Sequence, residues 1–164
     1  MEVDRFIVIL VLLFNSVYNS FSQTEDDSIR LVVLNNDKIG EEYKFGEWKE
    51  TGDTETQLIY MGEIKALKST YKIMTSCWIW GLSQRVTSRI LVFNEFDELI
   101  GNYYVYLTDL PEKIENNKLV FLHSKSKECD KTMITRLSFD NGIPNEFFLE
   151  CKDGSGELYT FDKE

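Results

Sequence analysis

The sequence predicts an all-β, antiparallel fold: a meander of hairpins that curls into a barrel or half-barrel, with a β-sandwich as the alternative. Three observations carry this expectation. Short runs rich in aromatic and β-branched residues recur along the chain, as half-buried pleated surfaces favour. Asn, Asp and Gly cluster between those runs, where tight hairpins need positive φ. The two prolines, Pro111 and Pro144, both fall in connections, where the donor that proline lacks is not needed. Consecutive hairpins leave little room for Greek-key crossings, and a flat open sheet would expose edges that invite aggregation.

Taken in order, the candidate strands are Ile29–Leu34, Glu42–Lys49, Thr56–Met61, Ser69–Trp80 and Val86–Phe93, then Leu99–Leu107, Lys118–His123, Thr132–Phe139, Glu146–Cys151 and Glu157–Phe161. Turns are expected at Asn35-Asn36-Asp37-Lys38, Gly52-Asp53, Asn116-Asn117, Asp140-Asn141-Gly142 and Asp153-Gly154-Ser155-Gly156. The one helix candidate is GEIKALKS, residues 62–69, which is short enough to be a connection instead. Three stretches share a grammar of apolar strand, Asn/Asp turn, Ile-Gly or Gly-Ile pair and aromatic strand: LVVLNNDKIGEEYKF, ILVFNEFDELIGNYYV and RLSFDNGIPNEFFLE. Their spacing is uneven, so they read as one hairpin pattern reused and not as a solenoid or propeller repeat.

The amino terminus points to export. The apolar run Phe6–Phe14 follows Arg5. As a helix it would rise only about 13 Å, too short to cross a bilayer and the right length for the core of a signal peptide. Ser20 and Ser22 suit a cut after Ser22, giving a signal peptide over 1–22, a disordered lead-in over 23–28 and a single all-β domain over 29–164. A buried terminal element and an uncleaved anchor are the alternatives. The Ser20-Phe21-Ser22-Gln23 exit and the Asn/Lys/Ile/Tyr-rich body resemble small secreted proteins of Bacteroidota. That resemblance implies a secreted or periplasmic location and brings no activity or site residues.

Cleavage removes one cation and two anions, so the net charge of −10 becomes −9. An acidic surface repels phosphate backbones and anionic membranes, which disfavours a nucleic-acid partner. No second apolar run is long enough to span a membrane after processing.

The stretch TSCWIWGL, residues 75–82, is the most informative in the chain. Along a strand, Ile73, Thr75, Cys77 and Ile79 share one face, and Met74, Ser76, Trp78 and Trp80 share the other. Both faces become apolar, so both are covered or one forms a pocket or interface. A turn at Gly81-Leu82-Ser83-Gln84 would set Trp80 opposite Arg85, Trp78 opposite Thr87 and Ser76 opposite Arg89. Trp78, Trp80, Arg85 and Arg89 would then share a face able to stack a ring or grip a carboxylate. The competing reading is a tryptophan-rich end of the core capped by arginines.

Three cysteines follow the signal segment. A hairpin turning at Asn141-Gly142 would bring Cys129 towards Cys151, making that pair the expected disulfide. Pairing of Cys77 with either, or no bond, remains open. With a single histidine, His123, a Cys–His nucleophile or a zinc site has little to draw on, and no metal or other cofactor is expected. No nucleophile-elbow, phosphate-loop or metalloprotease motif occurs. Asp153–Glu157 and Asn94–Glu98 bunch oxygen donors but lack the spacing of a calcium loop. The function expected is therefore a non-catalytic binding or interaction protein whose partner is a small molecule, a glycan or an envelope protein. The alternative is a small envelope hydrolase using a carboxylate pair inside a β-barrel cavity.

Overall fold

The middle of the chain obeys its period-two pattern and builds one long antiparallel sheet. Successive hairpins join β1 (Glu42–Gly46), β2 (Glu55–Lys65), β3 (Thr70–Trp80), β4 (Arg85–Phe93) and β5 (Leu99–Val105). After a 3-10 turn at Leu107–Asp109 the chain makes a second antiparallel sheet from β6 (Lys113–Glu115), β7 (Lys118–Leu122) and β8 (Ile134–Ser138). It then returns as β9 (Glu146–Lys152) and β10 (Ser155–Lys163), with β10 seated against β5. The strand order is β1-β2-β3-β4-β5-β10-β9 in the large sheet and β6-β7-β8 in the small one. This computed structural model describes residues 26–122, 129 and 132–164. The segment 1–22 expected as a signal peptide and His123 lie outside the described residues.

The all-β antiparallel class holds, and the meander holds through β5. The barrel does not close: β1 and β9 are the two ends of the large sheet, and the small sheet packs on one of its faces.

Four local expectations are corrected. Residues 26–36 are helical, although 26–28 were expected in a disordered lead-in and 29–34 as the first strand. A short apolar run satisfies strand and helix periods alike, so periodicity alone does not separate them. In the helix, α1, Arg30, Val33 and Leu34 are buried while Leu31 and Val32 are exposed. That is a helical stripe, and not alternation. Asp26 and Asp27 sit in its first described turn and both accept from Arg30. The helix candidate at 62–69 is instead the end of β2 followed by the hairpin into β3, where the Ala66 amide bonds the Ser69 carbonyl. β6 was missed, being three residues with charges at both ends. Of the three stretches with a shared grammar, only residues 90–105 form a hairpin, β4–β5. The first joins α1 to β1. The third crosses from the small sheet to the large one.

Two cores result. Ile73, Ile90, Val92 and Tyr103 of the large sheet meet Leu119 and Phe121 of the small sheet, with Phe139, Phe147 and Tyr159. On the other face, Met74, Leu91 and Phe93 meet Val33 and Leu34 of α1, with Leu58 and Tyr60. A strand covered on both sides is apolar on both sides, which accounts for the pattern of β3 and β4. The turn at Asn116-Asn117, both at positive φ, docks the small sheet on the end of β2. There the Lys65 amide donates to Asn117 Oδ1 at 2.7 Å, and Asn117 Nδ2 donates to the Lys65 carbonyl at 2.6 Å.

Cys129 and Cys151 are disulfide-bonded, and Cys77 takes no part in a disulfide. The geometry behind the expected pair differs from the expectation. β8 and β9 are not hydrogen-bonded partners, so the bond ties the approach to the small sheet to an edge strand of the large one.

Three core tyrosines are nearly shielded from water. Tyr159 donates to Asp109 Oδ2 at 2.5 Å, and Tyr103 donates to the Pro144 carbonyl. Burial raises Tyr103; burial followed by the Asp109 hydrogen bond raises Tyr159; burial pushes Tyr60 up to about 12. A phenol with a raised folded pKa contributes stability that is complete below the unfolded value near pH 10 and is lost as pH rises towards the folded value. Tyr60→Phe should therefore be less sensitive to alkali than the wild type, by about 1 kcal/mol at about pH 11 relative to about pH 9. Urea unfolding at both pH values checks this. Parallel losses in the two proteins would contradict it.

Candidate functional site

An 11-residue stretch of helix, residues 26–36, is about 16 Å long, whereas the eleven residues of β3 extend about 36 Å. The described part of α1 therefore covers only part of the face it packs on. The remainder is where the tryptophans and arginines lie.

The expected register is observed. Trp80 faces Arg85, Trp78 faces Thr87, Ser76 faces Arg89 and Met74 faces Leu91. All four predicted site residues therefore share the helix-bearing face. Neighbouring strands complete two rows across it. Phe45, Thr56, Trp78 and Thr87 form one; Tyr43, Leu58, Ser76, Arg89 and Tyr104 form the next.

The four residues divide into two pairs. Trp78 and Arg89 line an open groove of about 790 Å³; Trp80 and Arg85 do not. Trp80 supports the groove from outside it. Its ring stacks on Trp78 with centroids 5.3 Å apart and planes 17° apart, and its Nε1 donates to Thr87 Oγ1 at 3.0 Å. Arg85 caps Trp80, 5.4 Å from the ring centroid. Arg89 lies over Tyr104 at 5.7 Å and not over a tryptophan. Neither Trp78 nor Trp80 belongs to either hydrophobic core, and Trp78 is 38% exposed. The reading of these tryptophans as a core end does not fit their positions.

The groove has a floor of Thr56, Leu58, Ser76, Trp78 and Arg89. One wall is the end of β1 with the loop into β2, contributing Phe45, Glu47, Lys49 and Asp53. The other is α1, through Asp26, Ile29 and Arg30. The loop wall is fixed at two points. Trp48 Nε1 donates to the Gly81 carbonyl at 2.9 Å, tying it to the β3–β4 turn. Gly46, at φ +76°, brings its backbone so close to Thr54 that an added Cβ would lie 2.4 Å from the Thr54 carbonyl oxygen. Only glycine fits that approach.

Charge in the groove is nearly balanced. Arg30 is held by Asp26 at 3.3 Å and Asp27 at 3.1 Å, and Lys49 by Glu47 at 3.2 Å. Arg89 has no ion pair among the described residues, and its buried Nε has no hydrogen-bond partner. An unpartnered buried donor forfeits the hydration it had when unfolded, about 1–3 kcal/mol or more for a charged group.

Sequence reading found Trp78 and Arg89 because one hairpin sets their register. It missed Arg30, Phe45, Trp48 and Tyr104. The β4–β5 hairpin placed Tyr104 opposite Arg89 and was a usable signal; nothing local foretold the approach of α1 and the β1–β2 loop. The two oxygen-rich turns are backbone devices. Asp153 and Gly154 both take positive φ in a tight β9–β10 hairpin. Asn94 Oδ1 accepts from the amides of Phe96 and Glu98, closing the β4–β5 turn.

The described residues define the class of the fold and site: an all-β protein of two stacked sheets with a helix, α1, beside an open Trp/Arg groove. No family model, curated protein or solved structure matches the chain.

Proposed function

We propose that this is an exported, non-catalytic binding protein whose ligand lies in the groove between α1 and the β1–β2 loop, on Trp78 and Arg89. The observation that carries this reading is the groove itself: about 790 Å³, within the range of small-molecule sites, with on its floor a partly exposed Trp78 and an Arg89 that has no ion pair among the described residues. Trp80, Arg85 and Tyr104 support those two side chains. Export is supported by the short apolar run at 6–14 and by the Cys129–Cys151 disulfide, a bond that persists in oxidising compartments. Among the described residues no helix is long and apolar enough to cross a membrane.

The hydrolase alternative needs two carboxylates facing each other across a cavity. Of the groove's acids, Asp26 and Glu47 are each turned to a cation, which favours binding over hydrolysis.

Native mass spectrometry of the protein purified from the cells that make it tests the proposal. The wild type should carry a bound mass that Trp78→Ala loses while keeping a wild-type circular dichroism spectrum. A mass retained by Trp78→Ala, or none on the wild type, would contradict it.

A further inference from the structure

We infer that the groove takes a sugar bearing a carboxylate, a hexuronate residue within an oligosaccharide, with the carboxylate on Arg89 and the ring on Trp78; this rests on the binding reading above and specifies its ligand. Three features of the lining select that chemistry.

The first is the count of charges. The groove is lined by three cations, Arg30, Lys49 and Arg89, and by three acids, Asp26, Glu47 and Asp53. Arg30 and Lys49 are matched by Asp26 and Glu47. Among the described residues Arg89 is left without a carboxylate and Asp53 without a cation, and the buried Nε of Arg89 lacks an acceptor. One guanidinium calls for one monoanion, and a carboxylate matches its fork with two parallel hydrogen bonds. A phosphate dianion would bring a second charge for which this lining holds no spare cation.

The second is the tryptophan. One face of Trp78 is occupied by Trp80, stacked at 5.3 Å. The indole lines the groove and is 38% exposed. A pyranose ring presents an apolar C–H face to such a surface and keeps its hydroxyls at its rim.

The third is the polar surround. Thr56 pairs across from Trp78 and Ser76 across from Arg89, and Thr54 and Asp53 line the same groove. They offer acceptors and donors to ring hydroxyls, and an aromatic carboxylate would leave them unanswered. The volume exceeds that of one sugar, so neighbouring units of a chain fit as well.

The test is calorimetric titration of the full mature protein with oligogalacturonate, oligoglucuronate and oligomannuronate of about four units, each beside its methyl ester. The methyl ester keeps the ring and removes the charge. At least one acid form should bind about tenfold or more tighter than its ester. Arg89→Lys, which keeps the charge but not the fork, should lose most of that preference. Trp78→Phe should weaken acid and ester alike. Equal binding of acid and ester would overturn the carboxylate assignment and leave the binding reading standing. Failure of all three uronates to bind, or tighter binding of a sugar phosphate or of a peptide with a free carboxyl terminus, would overturn the sugar-acid assignment. The binding reading is overturned separately, by native mass spectrometry that finds no bound mass on the wild type or the same mass retained by Trp78→Ala.

Discussion

Phe147→Ala is expected to destabilise the protein by about 3–5 kcal/mol, close to the whole stability of many domains. Phe147 is 6% exposed and stands where the two sheets meet. Its ring lies 5.0 Å from Tyr103, 5.4 Å from Phe121 and 5.3 Å from Tyr159. Those rings come from β5, β7 and β10, so one truncation opens a void bordered by both sheets. Backbone pairing holds each sheet together, but among the described residues no strand ladder joins one sheet to the other, and the cavity cannot close by shifting a single residue. Urea unfolding monitored by circular dichroism measures the loss. A deficit under about 1 kcal/mol would show that the sheets do not share this core.

Removing the disulfide by the paired change of Cys129 and Cys151 to serine should cost about 3 kcal/mol on the chain-entropy model. The bond spans a sequence separation of 22 and joins segments that no strand ladder connects. Reduction of the wild type should lower its unfolding midpoint to that of the double variant. The comparison is clean because Cys77 takes no part in a disulfide and is unchanged in both proteins. Equal stabilities of oxidised and reduced protein would contradict the assignment of this bond as a staple between the two sheets.

The parts of the fold legible in the sequence are those decided by neighbours along the chain. The register of β3 on β4 follows from a four-residue turn, closed by the Gln84 amide on the Gly81 carbonyl with both residues at positive φ. Once that turn is placed, Trp78, Trp80, Arg85 and Arg89 must share a face. The parts misread are those decided at a distance. Residues 29–34 carry enough β-branched residues to look like a strand, yet burying Val33 and Leu34 over Leu58, Met74 and Leu91 wins over intrinsic preference. Residues 136–150 repeat the hairpin grammar of residues 90–105, yet β8 pairs with β7 and β9 with β10. A turn sequence says that the chain reverses, not which strand waits on the other side. The Cys129–Cys151 pair was anticipated from a hairpin that does not form. The bond instead joins Cys129, ahead of β8 in the chain, to Cys151 in β9, strands that belong to different sheets. The site divides the same way: its floor could be read from one hairpin, and its walls come from α1 and the β1–β2 loop.

The central claim is that Trp78 belongs to an open site and not to the core. Urea unfolding of Trp78→Ala tests it most directly. A residue stacked on Trp80 and 38% exposed should cost less than about 2 kcal/mol on truncation, from partial burial and one lost ring contact. A loss of about 3–5 kcal/mol, the range for a buried aromatic, would place Trp78 in the core and remove the groove's floor from the account.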